Sequence, residues 1–188
     1  MGRWKPDARG RLTLGALELF AERGYEQTTA AEIAERAGVT ERTFFRHFPD
    51  KREVLFMGAK HLQDRVVAAI TAAPASMPPI DVVGVAMESA AELLEEDRDY
   101  ARQRWAVIAA TPSLRERELL KMASLSAACA EALRARGVAE LPAGLAAETG
   151  VTIFKLSFER WVSDEPSGTF TECIRDALAQ LKGMTAGA

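Results

Sequence analysis

Apolar residues recur along almost the whole chain at steps of three and four, and no run of alternating β-branched residues competes with them. The pattern predicts an all-α protein. A first helix is expected over residues 7–23, with Leu12, Ala16, Leu17, Phe20 and Ala21 on one face and Gly24 as its left-handed stop. Thr29-Ala-Ala-Glu32 has the form of a capping box. A second, short helix therefore starts there, turns Ile33 and Ala34 inward and ends after Ala37 at Gly38. A third opens on Thr40, a good N-cap, and cannot pass Phe48 because Pro49 follows. Asp50 caps a fourth, longer helix reaching residue 73. Beyond the proline-rich break at 74–79, helices are expected near 81–97, 99–110, 113–136, 142–162 and 169–184. Breaks fall at Pro112, Gly137 and the segment 163–168. The expected architecture is nine helices without a sheet. A three-helix head over 1–53 is joined through the long fourth helix to a larger helical domain over 54–188.

The second and third helices, separated only by Ala37-Gly38-Val39, read as a helix-turn-helix. Such a motif needs small residues where its helices cross, a residue tolerant of positive φ in the turn, and an apolar plug. Ala34 and Ala37, Gly38 and Val39 meet those needs in that order. Phe44 and Phe48 lie four apart, so they share a face and anchor the third helix to the core. At about 100° per residue, Arg42 and Arg46 then point the opposite way, with Thr43 beside them and Phe45 on the flank. That outer face is small, cationic and able to hydrogen-bond, as a major-groove helix requires. Lys51 falls in the first turn of the next helix, where the dipole gives a cation nothing. Its presence points to an external anion, most simply a DNA phosphate.

The net charge of −3 argues against nucleic acid only until its distribution is considered. Residues 1–60 hold 11 Lys/Arg against 9 Asp/Glu, so a mildly basic first third precedes an acidic remainder. No stretch approaches the roughly 18 apolar residues that span a bilayer, and no apolar segment follows the basic N-terminus, so neither membrane insertion nor secretion is expected. Cys129 and Cys173 lie far apart inside helical segments and read as free thiols of a reducing cytoplasm. With His47 and His61 the only histidines, no metal site is expected. No hydrolytic triad, phosphate loop or dinucleotide glycine motif is present, so neither an enzyme nor a cofactor is expected.

The runs Phe20-Ala-Glu-Arg-Gly-Tyr25, Thr28 to Thr40 and Thr43-Phe-Phe-Arg-His-Phe-Pro-Asp-Lys51 closely resemble the TetR family of bacterial transcriptional regulators. The resemblance covers residues 10–56. It implies a homodimer whose two heads bind a palindromic operator, usually as a repressor released by a small-molecule effector. Carried over by position, it implies that Thr28 or Thr29 touches phosphate, and that Thr40, Arg42, Thr43, Phe45, Arg46 and His47 face DNA, with Lys51 holding backbone. Phe45 departs from the tyrosine of many relatives and has no hydroxyl for a phosphate, which leaves it an apolar contact.

Several positions carry two readings. His47 either packs or contacts phosphate, and Glu41 reads as a dipole partner more than a base contact. Arg3, Lys5, Arg9 and Arg11 form a basic arm that either reaches DNA or stays a solvated tail. Trp105, Met122, Phe154 and Phe158 line either an effector cavity or ordinary core. The stripes Phe154–Phe158–Trp161 and Phe170–Ile174–Leu178–Leu181 either complete one chain's core or, as the resemblance implies, pack against a second copy as a four-helix bundle. The rival function is a helical small-molecule-binding or protein-interaction module that keeps the helix-turn-helix only as a fold element.

Overall fold

The computed structural model describes residues 8–163 and 168–186. Among these are nine α-helices and no strand, as the periodicity predicts. The chain forms two compact units, Met1–Gly58 with Gln103–Glu116, and Ala59–Arg102 with Arg117–Ala188. The expected boundary at 53/54 thus moves to Gly58, and a segment far along the chain joins the head.

The first unit contains α1 (Ala8–Arg23), α2 (Ala30–Arg36), α3 (Glu41–His47), a 3-10 turn (Glu53–Phe56), the end of α6 (Arg98–Ala110) and the start of α7 (Pro112–Ala135). The buried face of α1 is Leu12, Thr13, Gly15, Ala16, Leu17, Leu19 and Phe20. Ala21, expected on that face, is exposed. Nine residues at about 100° each turn it to the side opposite Leu12. The start expected at Asp7 lies outside the described residues. Beyond the head proper, Ile108 and Leu114 are fully buried and Val107 nearly so.

The long fourth helix is corrected most. Asp50 does cap, its Oδ1 accepting from the amides of Arg52 (2.8 Å) and Glu53 (3.2 Å), but what it caps is the four-residue 3-10 turn. Val54, Leu55 and Phe56 are all buried. Three successive side chains fan over about 200° of an α-helix, too wide for one amphipathic face. The chain tightens instead, turns at Met57-Gly58, and starts α4 (Ala59–Ala72) only afterwards.

The second unit holds α4, α5 (Pro79–Glu95), the first residues of α6, most of α7, α8 (Glu140–Trp161) and α9 (Phe170–Ala186). Helices α5, α7 and α8 start earlier than expected because Pro79, Pro112 and Pro142 sit within first turns. There a missing N–H removes no helical bond. Helix α5 packs against α4, α8 and α9. At Gly150 the contact is so close that a Cβ would lie 2.0 Å from Val83 Cγ1, and at Gly84 a Cβ would lie 2.6 Å from Leu178 Cδ2. Arg136, at the end of α7, donates to the carbonyls of Ile70 (2.9 Å), Ala73 (2.7 Å) and Pro74 (2.8 Å), closing the unmet end of α4.

The apolar stripes of α8 and α9 are occupied within one chain. Phe170 stacks on Trp161 (5.2 Å between ring centres) and touches Phe154 (5.0 Å) and Phe158 (5.6 Å). Phe154, Trp161, Phe170 and Ile174 are all buried. Leu178 reaches α5 at Gly84, and Leu181 is half-buried. These six cannot form the face for a second copy, since buried side chains have no surface left to offer one. Periodicity identifies an apolar stripe but not the partner that covers it. No helix of the described residues is long and apolar enough to cross a membrane.

Candidate nucleic-acid interface

The local signals of the head are realised atom by atom. Thr29 accepts from the Glu32 amide (3.2 Å), and Glu32 Oε2 accepts from the Thr29 amide (2.8 Å), which is the complete capping box. Gly38 takes φ +68°, the left-handed turn that a side chain would strain. Thr40 caps α3 through the Thr43 amide (3.2 Å), and its hydroxyl lies 3.0 Å from that of Thr43. Phe48, before Pro49, leaves the helix in extended conformation (ψ 131°). Ala34 and Ala37 are buried where helices cross, while Val39 is only half-buried.

Helix α3 presents two opposite faces. Phe44 and Phe48 are 0% and 2% exposed, and their rings meet at 5.6 Å. Arg42, Phe45 and Arg46 are exposed, Phe45 at 51%, with Thr43 half-buried between the faces. Phe45 is set edge-on against Phe44 (5.3 Å, 84°), so the exposed ring is held by the buried one. Among the described residues neither Arg42 nor Arg46 is paired with a carboxylate within the chain. The face is cationic, apolar at one point, and uncompensated.

Other expected contacts are placed differently. Thr28 is 1% exposed, and its hydroxyl donates to the Gly24 carbonyl (2.9 Å), so it supports the α1–α2 turn from inside and has no surface for a phosphate. Thr29 remains exposed, with its hydroxyl in the capping box. Lys51 has found its negative partner internally: Nζ donates to the carbonyls of Tyr25 (2.9 Å) and Thr28 (3.0 Å) and stands 4.2 Å from the centre of the Tyr25 ring. Burial pushes the Tyr25 phenol up to about 12, so the ring beneath the cation stays neutral. Inward-facing carbonyls leave no trace in a sequence, so an external anion was the simpler expectation. His47 turns Nε2 inward, where it is buried without a hydrogen-bond partner among the described residues. Glu41 is exposed in the first turn of α3.

The basic arm is part of α1 where it is described. Arg9 lies over the Phe48 ring (5.7 Å), and Arg11 Nε donates to the Ala37 carbonyl (3.0 Å) at the end of α2. Arg3 and Lys5 lie outside the described residues. Three clasping arginines escaped sequence reading: Arg11, Arg36 on Glu18 and Glu22 (3.0 and 2.9 Å), and Arg104 on Leu55. Nothing in their spacing distinguishes them from solvated cations.

The expected effector residues do not gather in one place. Phe154 and Phe158 belong to the aromatic cluster, and Met122 is half-buried on α7 of the same unit, whereas Trp105 belongs to the first unit. None of the four lines the apolar groove of about 470 Å³ bounded by Ile80, Pro142, Leu145, Ala146 and Leu181.

A helix-turn-helix with a capped, outward-facing cationic third helix defines a DNA-binding protein. Residues 12–56 match the family described as bacterial regulatory proteins, tetR family, and residues 77–186 match the one described as MftR C-terminal domain. The chain belongs to the TetR family of transcriptional regulators. It is 40% identical over 81 residues to the HTH-type transcriptional regulator TcmR of Streptomyces glaucescens, a match covering 43% of this chain but only 36% of TcmR. Among solved structures, Thermus thermophilus FadR, a TetR-family repressor in complex with lauroyl-CoA, is similar with TM-score 0.58 and 26% identity, over 94% of both chains. FadR of Bacillus subtilis, in complex with stearoyl-CoA, superposes with TM-score 0.62 at 20% identity, over 92% of this chain and 96% of that one.

Proposed function

We propose that this regulator is a repressor that binds a palindromic operator as a homodimer and leaves it when a small-molecule effector binds. The observation carrying the DNA assignment is that Arg42, Phe45 and Arg46 are exposed on a helix whose other face is wholly buried. Arg42 and Arg46 read base edges, and Phe45 makes an apolar contact to sugar or a thymine methyl. Thr29, Thr40, Thr43 and His47 lie beside them at the phosphates. Thr28 and Lys51 leave the contact list, because their polar atoms serve the fold of the head.

The second copy docks on a different face from the buried stripe. Leu141, Leu145 and Leu156 are exposed on α8, at steps of four and eleven that return to one side of a helix. A symmetric pair needs such a self-complementary patch. Operator DNA sets the place of action as the cytoplasm. The lauroyl-CoA held by a relative at 26% identity makes acyl-CoA the first effector class to assay.

Selection of bound sequences from random duplexes supplies an operator, on which Arg42→Ala and Arg46→Ala are compared with the parent. Each arginine that pairs bidentately with guanine should lose about 1–3 kcal/mol and its base preference at one position. Unchanged affinity and preference in both variants overturns the docking. Shallow salt dependence of the parent itself would favour a module in which the helix-turn-helix is only a fold element.

A further inference from the structure

We propose that Arg104, on the part of α6 belonging to the first unit, is a positioning residue for the DNA-reading face, an assignment that rests on the DNA-binding reading above. Its Nε donates to the Leu55 carbonyl at 2.6 Å, and its guanidinium lies 5.2 Å from the centre of the Phe56 ring. Both targets belong to the 3-10 turn Glu53–Phe56, which packs on α1. A four-residue turn has no continuing helical ladder to employ its carbonyls, and Leu55 is 2% exposed. A donor brought from far along the chain meets that need. One planar guanidinium reaches the carbonyl through its edge and the ring through its face, a combination an ammonium cannot reproduce.

The turn is also part of a strap. Upstream, Lys51 holds the carbonyls of the α1–α2 turn. Downstream, Met57 Sδ accepts from the Thr13 hydroxyl of α1 (3.6 Å). Helix α3 ends at His47, only a few residues before this strap begins. Whatever holds the strap against α1 therefore holds the exit of the reading helix. Arg104 is two elements removed from Arg42 and Arg46 in the chain, yet it fixes the segment that leads out of their helix.

The test uses the full chain and its Arg104→Ala and Arg104→Lys variants, with two readouts. The first, amide hydrogen exchange, needs no DNA. Arg104→Ala is expected to accelerate exchange in residues 51–57 and leave α8 at the parental rate, with Arg104→Lys intermediate. The second is binding to the selected operator over a range of salt. Arg104→Ala should bind about tenfold more weakly with the parental salt slope, because no phosphate contact is lost. Unchanged exchange in 51–57, or acceleration spread equally over α8, overturns the proposal. So does a salt slope reduced by about one, which would make Arg104 a phosphate ligand. Failure of the parent to bind any duplex refutes the DNA-reading assignment instead, while the exchange arm still decides whether Arg104 holds the strap.

Discussion

In the reading head, long polar side chains reach across to backbone carbonyls: Lys51 to Tyr25 and Thr28, Arg11 to Ala37, Arg104 to Leu55. In the second unit the contacts that draw α5 against α8 and α9 are of the opposite kind, made where Gly150 and Gly84 admit Val83 and Leu178. Arginine clasps exist there too, as Arg136 on α4 shows, but they close helix ends. A helix pair joined at a glycine depends on shape and tolerates almost no added volume. A small head with short helices has little apolar area, and it adds directed bonds that specify orientation.

Gly150→Ala puts the largest strain on that contrast. Its Cβ would lie 2.0 Å from Val83 Cγ1 and 3.2 Å from Val83 Cβ, on a side chain whose branching leaves it few alternatives. Denaturant unfolding should show the second unit destabilised by about 3 kcal/mol. Val83→Ala in the same chain should restore part of the loss. Gly84→Ala meets only the tip of Leu178, which can rotate away, and about 1 kcal/mol is expected. Equal effects at the two glycines would show that close approach is not what organises this unit.

The same contrast governs what could be read from the sequence. Caps, left-handed glycines and the Phe48-Pro49 stop act over a few residues, so α2, α3 and the outward arginines were legible in full. Lys51 was misread because its partners are carbonyls 23 and 26 residues away, with no side-chain signature. The six residues expected between subunits show the same limit at larger scale. Phe170 and Ile174 recur correctly for a helix, yet only the fold shows that α5 and α8 of the same chain cover them. The 3-10 turn was missed for a third reason, since a run of three buried apolar residues can be read as any of several local structures.

Lys51→Met tests whether the head depends on directed bonds. The substitution keeps the apolar stem and removes the donors to Tyr25 and Thr28. A loss of about 2 kcal/mol in the stability of the head is expected, the scale of a hydrogen bond from a charged group. Corrected for the folded fraction, the salt slope of operator binding should match the parent. A slope smaller by about one with unchanged stability would return Lys51 to the phosphates and remove the clearest example of a clasp.

The smallest expected effect is the most selective, because it titrates. The Thr29 amide, then its hydroxyl, holds the Glu32 carboxyl below the usual carboxylate range. A group whose folded value is lowered stabilises in its ionised form, fully above its unfolded value, and that contribution fades as pH falls through the folded one. Acid should therefore loosen α2 first, seen as amide exchange in Ala30–Arg36 rising below about pH 4 while α8 stays protected. Asp50 shifts in the same direction, since Arg52 and two amides outweigh the burial that would raise it. It acts on the 3-10 turn, and so α2 is the segment to follow. Thr29→Ala should cost about 1 kcal/mol near neutrality, the usual value of an N-cap. Glu32→Gln should flatten the acid response of α2 and leave that of the 3-10 turn in place. If both segments lost their acid response together, the head would be one electrostatic unit, and its clasps could not be regarded as separate bonds.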